Sequence, residues 1–176
     1  MSHCYSKKPQ WLPDKWNSLP PDDLKITNCY SYAFNRVEKN YSSENTHKPQ
    51  PGEISNSSLN NRSCENIIAN VEDDLNIKLE ETSLTMPLKC NHYRIAIVLD
   101  NVGEHKDYHF YRQDSDGLWS HKQGKGKVKR FDASNNLIYD PERANRNYSK
   151  DKKGDKYNYE IFCGYFSVPY YGDPFN

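Results

Sequence analysis

The sequence has no excess of either charge sign: 24 Lys and Arg stand against 24 Asp and Glu in 176 residues. A balanced chain generates no broad field that draws it to DNA, RNA or an anionic membrane, so no nucleic-acid or membrane partner is expected. Long apolar runs are missing as well. The candidate span 95-IAIVL-99 is far shorter than the roughly 20 residues that cross a bilayer. The opening 1-MSHCYSKKPQWLPDKW-16 holds no run of signal-peptide length. Cysteine is sparse and odd in number (Cys4, Cys29, Cys64, Cys90 and Cys163), with no Cys-x-x-Cys. That pattern argues against a disulfide scaffold and for a reduced, cytoplasmic chain. There is no Gly-rich phosphate loop, internal repeat or heptad run, and no cofactor is expected.

Aromatic residues are abundant: 14 Tyr, 6 Phe and 3 Trp. The length suits one domain, and its core should be aromatic, with Tyr bodies buried and hydroxyls bonded. The Lys-rich runs 122-KQGKGKVKR-130 and 150-KDKKGDK-156 read as solvated loops.

Periodicity divides the chain in two. Residues 1–25, punctuated by Pro9, Pro13, Pro20 and Pro21, read as an irregular N-terminal arm. Thr27 or Asn28 can cap a helix that carries Cys29 in its first turn and runs to about Asn40. Residues 41–90 form a polar loop and an accessory helix within 63–81, with Ile67, Ile68, Val71 and Leu75 as its apolar stripe. Strand patterns follow at 92–100, 107–113, 118–122, 136–140 and 157–169, so that 126–176 supplies extra C-terminal strands. Helices first and hairpin-linked strands after predict an α+β fold with a mostly antiparallel sheet.

Cys29 is the first chemically notable residue. A thiol at a helix start meets unpaired N–H groups and the positive end of the dipole, which favour the nucleophilic thiolate. A free cysteine is equally often a small buried hydrophobe. His109 is the candidate base; it shares a strand face with Tyr111 and Gln113, while Tyr108 and Phe110 point to the core. The base needs an orienting partner. If the loop is 115-SDG-117 with Gly117 left-handed, Tyr111 faces His121, and His109 and His121 share a face on a diagonal. A loop one residue shorter or longer would put them on opposite faces. Asp140, held by Pro141, is the alternative third residue. Cys29, His92, His109 and His121 are enough ligands for zinc, but no close pair has ligand spacing, so no metal is expected.

Cys29 at a helix start, His109 on one strand and His121 on the next resemble the NlpC/P60 superfamily of papain-like cysteine peptidases. The turn 51-PGE-53 and the strand 92-HYRIAIVLD-100 are also similar to that family's pattern. The similarity spans about residues 26–125. The family's Asp-Cys-Ser-Gly appears as 28-NCYSYA-33, so only the cysteine carries over.

The resemblance implies a single papain-like domain over 1–176 and a thiol protease or related hydrolase. Cys29 would attack an amide of a protein, peptide or peptidoglycan-fragment substrate through a thioester, with His109 as base. Asn28 would help bind the oxyanion, and Tyr30, Tyr111 and Trp119 would line the groove. Rival readings are a deamidase or transglutaminase-like acyltransferase, and a non-catalytic binding or structural protein on the same scaffold. The non-catalytic reading requires a buried or distant Cys29. The enzyme reading requires its sulfur within about 4 Å of a His109 nitrogen.

Overall fold

The computed structural model describes residues 7–39, 47–57, 62–101, 106–149 and 157–175. Among them the helices are α1 (Pro13–Asn17), α2 (Pro21–Ile26), α3 (Cys29–Ala33) and α4 (Cys64–Leu75). The strands are β1 (Glu80–Thr82), β2 (His92–Asp100), β3 (Asp107–Gln113), β4 (Trp119–Lys122), β5 (Val128–Lys129) and β6 (Ile161–Pro169). The arrangement is α+β, with every strand pair antiparallel in the order β1-β6-β2-β3-β4-β5. No helix among the described residues is long and apolar enough to cross a membrane. Cys4, Asn40 and the Lys-rich run 150–156 lie outside the described residues.

The arm read as irregular contains two helical turns. Both α1 and α2 begin with proline (Pro13, Pro21), whose fixed φ suits the first helical position, where its missing N–H costs nothing. Conversely, α3 is shorter than expected. Asn28 caps it by accepting from Ser31 N at 3.0 Å, but the chain leaves the helix at Phe34, and Asn35 takes a φ of 56°. A left-handed residue stops a helix, and asparagine tolerates that conformation. Ser63 and Asn76 bound α4 in the same way, as N-cap and left-handed C-cap, so residues 80–82 are free to form β1.

The central strand β2 is buried on both faces. Tyr93, Ile95, Ile97 and Leu99 pack with Tyr108 and Phe110 of β3 against α3 and α4. Ala96 and Val98 face a second cluster that holds Tyr111, Trp119, Ile138, Tyr148 and Tyr159. Residues within 131–149 and 157–159 therefore cover the face read from sequence as polar. They do so without a strand at 136–140, where a single bridge joins Phe131 to Leu137.

The β3–β4 hairpin has the register that a three-residue loop dictates: Arg112 opposes Ser120 and Gln113 opposes Trp119. Gly117, at φ 87°, makes the turn and donates its N–H to Asp114 O at 3.0 Å. Below it lies a buried ion cluster. Arg112 donates to Asp114 at 2.8 Å, and Arg130 reaches the other oxygen of Asp114 at 3.1 Å. The two guanidinium groups also lie over Tyr32 and Trp11, fastening the N-terminal segment to the hairpin.

Cysteine usage departs from the sequence expectation. Cys64, at the start of α4, forms a disulfide with Cys163 of β6, and Cys90 is disulfide-bonded as well. The β2–β6 register steps from Ile97↔Gly164 to Val98↔Phe162, which leaves Cys163 as the extra residue of a bulge. That bulge turns Cys163 out of the ladder toward α4. A reduced chain was expected; these bonds correct it.

Candidate functional site

A cleft of about 700 Å³ opens beside the start of β3. Cys29, His109 and Asn28 all reach it, and their local chemistry decides what it can do.

Cys29 is buried and is the one free thiol among the described residues. Burial first, and Asp107 nearby second, push its pKa up to about 12; backbone N–H groups of Phe110 and Tyr30 pull the other way but do not prevail. The thiol is therefore protonated at neutral pH and not nucleophilic. The dipole expected to activate it is weak, because α3 has only five residues.

His109 is joined through Nε2 to His121, the orienting partner the sequence suggested. His121 Nε2–H donates to Phe131 O at 3.0 Å, which leaves its Nδ1 lone pair to accept from His109 Nε2–H at 2.8 Å. The turn at Gly117 thus brings the two rings together, but as a neutral buried pair. Burial, then the neighbouring ring, lowers the pKa of His109 well below the usual value, and burial lowers that of His121 to about 4. His109 packs against Tyr111 and Tyr159 on the far side of the sheet, whereas Cys29 belongs to the helix-side cluster. No hydrogen bond joins Cys29 to His109 among the described residues.

The thiol-hydrolase expectation is corrected on these grounds, and with it the acyltransferase variant. The chain is oxidised at Cys64–Cys163, and its remaining described thiol is buried at the cleft wall with its pKa raised and no hydrogen bond to His109. The supporting residues are also otherwise engaged. Asn28 accepts from Ser31 N and donates to Pro49 O at 2.6 Å, so its amide caps α3 and ties it to the 49–52 turn. Asp140 does not orient His109; it accepts from Tyr165 OH and from Glu142 N. Tyr30, Tyr111 and Trp119 are core rather than groove residues, and Tyr30 OH donates to Asp74 at 3.1 Å. His92 stands at the edge of β2 against Cys90 O, and no group of three or more metal-ligating side chains occurs among the described residues.

What lines the cleft instead was missed. Tyr108, Tyr148, Tyr157 and Tyr159 present rings or edges to it, and Lys48, Lys125, Lys127 and Lys129 surround it. The run 122–130 is a pinned hairpin, not a solvated loop. Lys122 and Val128 pair, as do His121 and Lys129, and Gly126 N–H closes the turn on Gln123 O at 2.7 Å. Lys122 is buried, and its ammonium donates to Leu24 O and Gly124 O, each at 2.8 Å. That burial lowers its pKa to about 8. The Gly residues flanking Lys125 were the available signal: they mark a tight turn, which carries Lys125 at its tip with Lys127 and Lys129 on the chain leaving it.

The chain is similar to insoluble matrix shell protein 1 of Ruditapes philippinarum, with 34% identity over 145 residues that cover 82% of this chain and 86% of that protein. No family model matches the chain, and no solved structure matches it.

Proposed function

The chain belongs to the family of insoluble matrix shell protein 1, and on that footing we propose that it is a non-catalytic, disulfide-stapled component of an extracellular matrix. The observation that carries this reading is the cysteine chemistry: one described thiol is buried and protonated, while Cys64, Cys90 and Cys163 are oxidised. Stable disulfides belong to oxidising compartments, so we place the protein outside the reducing cytoplasm. The name of the relative, an insoluble matrix protein of shell, agrees with that location.

We further propose that the scaffold is of the papain-like NlpC/P60 type, used here without its chemistry. A cysteine at a helix start with histidines on two successive strands supports this descent. The covering segment around Tyr148 and Tyr159 and the burial of Cys29 support its loss of activity. A partner at the cleft is then bound, not cleaved.

The test is fractionation of the source tissue, with alkylation before reduction. The protein should stay with the insoluble matrix after exhaustive extraction, and Cys64, Cys90 and Cys163 should escape alkylation until reduced. Recovery in a cytosolic fraction with Cys64 and Cys163 freely alkylated would refute the reading.

A further inference from the structure

We propose that the cleft bordered by Lys48, Lys125, Lys127 and Lys129 is a binding site for an anionic polysaccharide. The proposal rests on the non-catalytic reading above, because it needs the cleft to hold a polymer without cutting it.

Charge segregation is the first argument. The whole chain is balanced, yet among the described residues four lysines line this cleft against a single carboxylate, Asp107. That carboxylate accepts from Tyr159 OH at 2.8 Å, and the lysines outnumber it four to one. Electropositive walls around a concave surface concentrate anionic ligands.

The lysines also stand on a supported frame. The buried Lys122 ammonium ties the turn to Leu24 O, Asn17 Oδ1 accepts from Val128 N at 2.9 Å, and Lys129 Nζ donates to Gln123 Oε1 at 3.2 Å. Gly124, at φ 46°, gives the turn its left-handed corner and faces Lys48 across the cleft. A held row of cations loses less freedom on binding than a loose one.

The remaining lining favours sugar over peptide. Tyr157 is half-buried and brings aromatic surface to the cleft; it stacks on the buried Tyr159 with ring centroids 5.9 Å apart. Aromatic faces suit the C–H faces of sugar rings, and the amides of Gln50 and Gln123 suit their hydroxyls. The volume, about 700 Å³, falls in the range of roughly 300–1,000 Å³ typical of ligand clefts.

Affinity electrophoresis of the full chain tests the site, in gels containing polygalacturonate, dextran sulfate, neutral dextran or poly-glutamate. Migration should be retarded by polygalacturonate, dextran sulfate or both, which separates carboxylate from sulfate recognition. Neutral dextran should have no effect, and poly-glutamate a weaker one. The Lys125→Gln/Lys127→Gln/Lys129→Gln variant should lose about tenfold or more in affinity, as three exposed ion pairs together imply. Tyr157→Ala should weaken binding to the polysaccharide. The control Lys7→Gln/Lys78→Gln/Lys89→Gln, which removes equal charge elsewhere, should not. Circular dichroism checks that each variant is folded. No retardation by either anionic polysaccharide, equal or tighter binding of poly-glutamate, or equal losses in cleft and control variants would each overturn the proposal. None of these results alters the thiol state or matrix location, on which the non-catalytic reading stands or falls.

Discussion

Lowering the pH from 7.5 to 5 should unfold this protein from a direction that its histidine pair defines. His121 has its pKa lowered from 6.5 to about 4 in the folded chain, and burial, then the neighbouring ring, also lowers that of His109 well below its usual value. Both shifts are downward, so between the folded and unfolded values the unfolded chain binds more protons than the native one. Stability is therefore intact above the unfolded value near 6.5 and is lost as the pH falls toward the folded value. At pH 5 an unfolded imidazole is almost wholly protonated and the native His121 scarcely so, which costs about 2 kcal/mol from His121 alone. His109 adds in the same sense. Asp107 works against both, because burial raises its pKa and the native carboxyl takes up a proton first. Urea unfolding at the two pH values reads the difference as a shift in midpoint, with an unchanged m-value. The control is His109→Gln/His121→Gln, which can keep a hydrogen bond to Phe131 O but cannot titrate. Its midpoint should move less between pH 7.5 and 5 than that of the wild type. Equal shifts in both proteins would refute the assignment of a neutral buried pair.

Three further outcomes follow from the packing. Cys64→Ala/Cys163→Ala opens a crosslink that spans 99 residues, and should cost about 4–5 kcal/mol in the chain-entropy view; reduction of the wild type, which also opens the Cys90 bond, should lower the midpoint at least as far. Asp114→Asn leaves the fully buried Arg112 guanidinium without its counterion, so a loss of about 3–5 kcal/mol in urea unfolding is expected. Gly117→Ala meets no neighbour within 4 Å but must hold φ at 87°, so it should cost only about 1–2 kcal/mol and leave the hairpin register intact by NMR.

Local pattern carried much of the sheet. The branched run 92–100 is the central strand, and Gly117 fixed which residues of β3 and β4 face each other, so the closeness of His109 and His121 could be read from one turn. What that closeness means could not. Cys29 is buried in a cluster with Tyr108, Phe110 and α4 side chains, and Tyr159 packs on His109 and Tyr148 on His121, contacts remote in sequence. The Cys64–Cys163 bond is equally non-local: it needs α4 placed on the sheet and a bulge that turns Cys163 toward it. Two signals were present but underweighted. Pro13 and Pro21 mark helix starts, and Gly124 and Gly126 mark a tight turn that carries Lys125 between two strands. The buried Lys122 that makes this segment a wall finds its carbonyl partner at Leu24, which no local pattern announces.

The central claim, that Cys29 is a buried, protonated thiol, is tested most directly by iodoacetamide labelling of the native protein across pH 5 to 9, followed by mass measurement. Labelling should be negligible throughout, should appear only once denaturant unfolds the chain, and should not differ between the wild type and His109→Ala in the native range. Rapid labelling of native Cys29 at neutral pH, with an apparent pKa below that of a free thiol and abolished by His109→Ala, would contradict it.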